Sequence, residues 1–145
     1  MCRKQDGYTA IELIITLSLV MLLLSIVGSI SYYTYERSLF QQFIQQWNQD
    51  LLYIQQTSMV KNHRYQLVIH TDRKGYSILE SGYGKKMIER KLPANWSFQN
   101  ITLTMPIQFS RSGKLNNPGS FTINGGTTRY QIVCPFGSGR CYHAK

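Results

Sequence analysis

"KQDGYTAIELIITLSLVMLL", residues 4–23, carries one carboxylate, Glu12, at the head of a long apolar run. How that charge is tolerated decides the fold. A charged side chain near the middle of a bilayer-spanning helix costs about 2.5–3.5 kcal/mol on insertion scales, so something must offset it. Between residues 13 and 35 there is no Lys, Arg, Asp or Glu, and LIITLSLVMLLLSIVGSI is apolar apart from small residues. About 20 such residues, at about 1.5 Å each, cover the roughly 30 Å of a hydrocarbon core. The polar segment in front, MCRKQDG, holds Arg3 and Lys4. By the positive-inside bias that end is expected in the cytoplasm, and everything after the span outside.

A secretory signal fits poorly, because the apolar run is longer than the usual 7–15 residues or so and no A-x-A follows it. A plain membrane anchor explains the length but leaves Glu12 unexplained. The residues Gly7, Tyr8, Thr9, Ala10, Ile11 and Glu12 resemble the type IV prepilin motif: a glycine, an aromatic residue, and a glutamate at the fifth mature position. That resemblance implies cleavage between Gly7 and Tyr8 by a prepilin peptidase and methylation of the new amine, with the apolar helix left intact. It also implies that Glu12 pairs with the N-terminal amine of a neighbouring subunit in a filament. A paired buried charge is far less unfavourable than a lone one. The family usually has Phe where this chain has Tyr8, a mild departure.

Beyond the span, Phe40, Phe43, Ile44, Trp47, Leu51 and Ile54 recur at three- and four-residue steps, with Gln41, Gln45, Asn48, Gln49, Gln55 and Gln56 on the other face. No proline precedes Pro93, so the helix is predicted over residues 8–60. From Arg64 the period changes to that of strands. RYQLVIHT and YSILES flank the turn DRKG as a hairpin, and SFQNITLT, PIQFS, SFTIN, RYQIVC and RCYH read as further strands between glycine-rich turns. The expected class is α+β, a long helix, half membrane-spanning and half amphipathic, on one small, mostly antiparallel sheet. The expected division is a leader (1–7), a membrane and filament-core helix half (8–35), and an extracytoplasmic head that includes the outer helix half (36–145).

The 145 residues hold 16 Lys and Arg against 7 Asp and Glu. Without the leader's Arg3, Lys4 and Asp6 there remain 14 against 6, a net +8, and no acidic residue follows Glu89. Such asymmetry points to an anionic partner, or to a solvated basic surface. Arg111, Lys114, Arg129, Arg140, His143 and Lys145 are the candidate contacts to double-stranded DNA without sequence preference, with Tyr130 or Tyr142 available to stack on bases. Cys2 leaves with the leader, whereas Cys134 and Cys141 stand across a turn-rich loop outside the membrane, where a disulfide persists. A bridge between them depends on strand register; two separate thiols are the other reading. Only His143 lies near that cysteine pair and no CxxC is present, so no metal is expected.

The histidines at 63, 70 and 143 are scattered, and no G-x-S-x-G, HExxH or paired-carboxylate arrangement appears. GSG at residues 137–139 lacks the following helix of a phosphate loop. Neither an enzyme nor a cofactor is expected. The stretches IQFSRSGKLNNPGSFTI and TTRYQIVCPFGSGR resemble the C-terminal part of minor pseudopilins of the GspH/FimT kind, and among these the short head and basic tail are most similar to the ComGD-type group. That resemblance implies a minor subunit of the competence pseudopilus of Gram-positive bacteria. Its partners would be the prepilin peptidase, the major and other minor pseudopilins, and the membrane, with the head outside and reaching the cell surface after assembly. A minor pseudopilin of a type II secretion system, or a DNA-binding surface module outside the filament, are the alternatives.

Overall fold

A computed structural model of the chain describes residues 9–60, 64–82, 84–125, 128–137 and 139–144, the side chains of 27–33 excepted. Helix α1 runs over Ala10–Val60, against a predicted 8–60; residue 8 lies outside the described residues. Thr9 caps it. The Glu12 carboxylate accepts from the Thr9 backbone N–H (3.1 Å) and hydroxyl (2.9 Å), the capping box that T-x-x-E encodes. Within α1 the chain divides into two compact units, Met1–Phe40 and Gln41–Lys145.

In the first unit the helix is apolar on every side. Ile11, Leu13, Ile14, Ile15, Leu17, Leu19, Val20, Met21, Leu22, Leu23, Leu24 and Ile26 are all at least half exposed. Among the described residues no helix is long and apolar enough to cross a membrane. The span predicted from sequence includes residues 27–33, whose side chains lie outside the described set.

The second unit is α+β. Its helical part lies beside strands β1 (Tyr65–Ile69), β2 (Gly75–Glu80), β3 (Lys86–Lys91), β4 (Trp96–Gln99), β5 (Ile107–Gln108), β6 (Gly119–Gly125), β7 (Thr128–Cys134) and β8 (Tyr142–Ala144). The single sheet expected from sequence is two, each antiparallel and four-stranded: β3-β2-β1-β5 and β4-β6-β7-β8. The split follows from pairings between residues far apart in sequence. Leu67 stands opposite Ile78 on β2 and Ile107 on β5, and Phe98 opposite Ile123 on β6. The strand predicted over 97–104 stops at Gln99 because Asn100 takes a left-handed φ of 46°. Beyond it Thr102 still binds Ser120 through its backbone N–H and its hydroxyl.

Trp47, fully buried, joins α1 to both sheets. Its ring centroid lies 4.9 Å from that of Tyr76 on β2 and 4.9 Å from that of Phe121 on β6, with Phe98 at 5.9 Å. Leu51 and Ile54 continue the buried stripe, and Gln45, Gln49 and Gln56 face water as the pattern predicted. Two polar residues sit in that stripe unannounced by the apolar period. Ser58 returns its hydroxyl to the Ile54 carbonyl (2.8 Å). Asp50, 4% exposed, accepts from the Tyr76 hydroxyl (2.7 Å), Arg90 Nε (3.3 Å) and Gln46 Nε2 (3.0 Å). These bonds tie the helix to β2 and β3 at one register, and among the described residues every buried side-chain N or O has a partner.

Candidate functional site

Two loops, one bearing Arg111 and Lys114 and the other Arg140, are held by α1. Gln55 Nε2 donates to the Gly113 carbonyl at 2.6 Å. Gly139 lies so close that a Cβ there would stand 2.8 Å from the same amide. Gly113 and Gly139 have φ of 74° and 62°, where glycine alone is unstrained. The loop bearing Arg111 and Lys114 and the loop bearing Arg140 therefore meet at Gln55. The second loop is fastened further. Cys134 and Cys141 are joined by a disulfide with Cα atoms 4.2 Å apart. Asn48 grips the Cys141 backbone twice, donating to its carbonyl (3.0 Å) and accepting from its N–H (2.9 Å), and Trp47 Nε1 donates to its sulfur (3.3 Å).

Arg111 also lines a cleft of about 270 Å³ with Ser58, Arg64, Gln108, Phe109, Ser110 and Asn116. Among the described residues no acidic side chain lines it. Arg64 and Ser58 were not singled out in the sequence. They come from the end of α1 and the start of β1, segments far from residue 111, so no local spacing could announce them.

The other predicted residues are spread. Arg129 stands opposite Asn124 at the far end of β7 from Cys134, roughly 17 Å along the strand at about 3.4 Å per residue, so it does not join the loop cluster. His143 pairs with Ile132 on the edge strand, its ring 5.8 Å from that of Tyr130. Tyr130 in turn lies 6.1 Å from Trp96, while Tyr142 and Phe136 are 55% and 68% exposed. Gly7, Tyr8 and Lys145 lie outside the described residues, and so does His63. His70 shares a 2.6 Å hydrogen bond with Ser77. Among the described residues no group of three His, Cys, Asp or Glu could hold a metal ion.

Electrostatics follow the same geometry. Burial, then the hydrogen bond to Asp50, pushes the Tyr76 hydroxyl well above the ordinary phenol range. The hydrogen bond from Lys86 Nζ (2.9 Å) holds the exposed Glu89 carboxyl below its usual value.

An N-terminal prepilin-like motif, a capped apolar helix and a small antiparallel head together have the character of a pseudopilin. In sequence the chain is 28% identical over 137 residues to the competence protein ComGD of Bacillus subtilis (strain 168), a match covering 94% of this chain and 92% of that one. The likeness to that protein thus extends along nearly the whole chain. No protein-family model matches the chain, and no solved structure does.

Proposed function

We propose that this chain is a non-enzymatic minor subunit of a competence pseudopilus, inserted through its N-terminal helix and presenting its basic head to incoming DNA. The observation that carries the reading is the near full-length similarity to ComGD. A helix apolar all round must be covered by something, and this one exposes its apolar side chains from Ile11 to Ile26. In the proposed cycle the cover is the bilayer before assembly and neighbouring helices after it, with the N-terminus cytoplasmic and the head outside. A prepilin peptidase cuts between Gly7 and Tyr8. Glu12, bonded within its own chain to Thr9, then exchanges toward the new N-terminal amine of a neighbour. The acid-free stretch after Glu89 favours a competence role over a type II secretion role.

The test is made in a transformable host lacking the gene. The wild-type gene is expected to restore transformation, the mature protein to begin at Tyr8 with one added methyl by intact mass, and the chain to crosslink to other pilin-like subunits. Glu12→Gln is expected to reach the membrane at wild-type levels and lose the crosslinks. A fully functional protein that keeps Cys2, or wild-type crosslinking by Glu12→Gln, overturns the assembly scheme.

A further inference from the structure

Within the head, α1 passes from Phe43, whose ring lies 6.5 Å from that of Trp96 and 6.2 Å from that of Phe98, to Gln55 at the Gly113 carbonyl. Trp96 stands opposite Gly125, and Gly125 opposite Thr128. Arg129 therefore lies at the end where the chain enters the head. The β1–β2 turn lies there too, since the Arg73 carbonyl accepts from the Phe98 N–H and the Lys74 carbonyl from the Leu92 N–H, both at 2.9 Å. Lys91 pairs with Gly75, directly behind that turn. Arg73, Lys74, Lys91 and Arg129 are all exposed, and all four stand away from the loops that Gln55 gathers.

The turn is fastened, and it carries charge where charge is unusual. Arg73 has a φ of 57°, a conformation that glycine or asparagine adopts more readily. The Arg73 N–H donates to the His70 carbonyl (2.9 Å), and the Asp72 carboxylate accepts from the Lys74 N–H (2.9 Å). The acids nearby are engaged: Asp72 in that turn, Glu89 with Lys86 (2.9 Å), and Asp50 with Tyr76 and Arg90. Arg129 is on β7, two strands or roughly 10 Å from β4, so the four cations are spread over the end of the head. A line of phosphates meets only a few cations so dispersed, whereas a charged plane meets every one that faces it. We propose that this end of the head rests on an anionic lipid surface, with Arg73, Lys74, Lys91 and Arg129 meeting phosphate headgroups while the subunit waits for assembly. The proposal deepens, and rests on, the reading that the apolar part of α1 is embedded in the bilayer, because the chain passes from that segment into this end of the head. Basic residues beside an anionic bilayer each add to the attraction within about a Debye length of its surface.

The full-length chain is reconstituted in vesicles of phosphatidylcholine alone and in vesicles with about one part in three of phosphatidylglycerol. Flotation shows which vesicles hold the chain, and acetylation by a water-soluble reagent is followed lysine by lysine by mass spectrometry. Lys74 and Lys91 are expected to react about fivefold more slowly in the anionic vesicles, Lys114 to react alike in both, and about 0.5 M KCl to remove the difference. Arg73→Asn/Arg129→Gln, in which asparagine suits the φ at position 73, is expected to cut that protection to about twofold or less. Arg111→Gln/Arg140→Gln is expected to leave it whole. Melting temperatures are taken for each variant, and if the first pair is unfolded the single Arg129→Gln is read in its place, with a smaller loss of protection expected. Equal lysine rates in the two kinds of vesicle, or equal slowing of Lys114, overturns the lipid contact. So does a duplex that, added to the chain in neutral vesicles, protects Lys74 and Lys91 more than Lys114, because it assigns this end to nucleic acid. A chain that floats with both vesicles and shows no lysine difference loses only the lipid contact. One that floats with the anionic vesicles alone and is released by KCl keeps the contact and loses the embedded helix, and one that floats with neither loses both.

Discussion

Asp50 shows what a single buried charge does in this head. Its carboxylate takes three donors, from α1, β2 and β3, so it fixes the helix against the sheet at one register where apolar packing alone would tolerate a slide. Asp50→Ala leaves the Tyr76 hydroxyl buried with no acceptor, which costs about 1–3 kcal/mol. Arg90 is 41% exposed and regains water, so the loss stays below the roughly 3–5 kcal/mol of a fully buried pair. Urea unfolding of the full-length chain is expected to show that decrease, with Asp50→Asn, which keeps one acceptor oxygen, losing less. The same contact sets an alkaline limit. Tyr76 has its folded pKa raised above the unfolded value of about 10, so the unfolded chain releases that proton first. Its contribution is therefore intact below about pH 10 and is lost as pH rises beyond it. Tyr76→Phe is expected to lower stability at about pH 8 yet lose less of it between about pH 8 and about pH 10.5. A wild type whose unfolding midpoint is as flat over that interval as the variant's would refute the assignment.

The β7–β8 hairpin is the element where sequence reading and structure meet most closely. Two strands around a glycine-rich loop were legible from RYQIVC and RCYH, and the register that brings Val133 opposite Tyr142 sets Cys134 and Cys141 face to face. What the pattern could not supply was the clamp from α1, because Trp47 and Asn48 lie more than 90 residues away in sequence. Strand β3, set between the Gly82/Gly84 turn and Pro93, carries a weaker signal for a different reason. KKMIERK alternates charge with half-exposed residues and buries almost nothing, which is how a sheet edge is protected from pairing with other chains, and a charged edge strand carries little apolar period to read. The cleft was invisible for the same cause as the two-sheet split, since its walls come from segments that meet only in the folded chain. Closing so short a loop is worth about 2–3 kcal/mol on the chain-entropy account. Cys134→Ser/Cys141→Ser, or reduction of the wild type, is expected to lower stability by that amount. Asn48→Ala in the oxidised protein is expected to free the loop from the helix with the bridge intact, raising amide exchange at residues 139–142. Unchanged exchange in Asn48→Ala would show that the disulfide alone orders this loop.

For the whole molecule the arrangement of charge matters more than its total. The chain's excess of basic residues was plain from sequence, and Arg111, Lys114, Arg129, Arg140, His143 and Lys145 were grouped there as one DNA-contacting set. The fold gathers Arg111, Lys114 and Arg140 on the two loops that meet at Gln55 and leaves Arg129 at the other end of β7. Duplex DNA is a line of charge, so a cluster at one end can neutralise several adjacent phosphates at once, while an isolated cation neutralises one at most. Binding without sequence preference is expected in the non-specific range, roughly 10⁻⁴–10⁻⁶ M, with log affinity falling by about 0.9 per log unit of salt for each phosphate neutralised. Anisotropy of a labelled duplex with the full-length chain, measured across a series of KCl concentrations, reads that slope. Arg111→Gln/Lys114→Gln/Arg140→Gln is expected to flatten it by about 2–3, close to one phosphate per residue removed, and Arg129→Gln by less than about 1. Flattening by the same amount per residue at both ends would mean that the head attracts DNA by its net charge with no preferred end. A slope near zero in the wild type would leave the basic surface to the cell wall or to solubility, and the subunit to the filament alone.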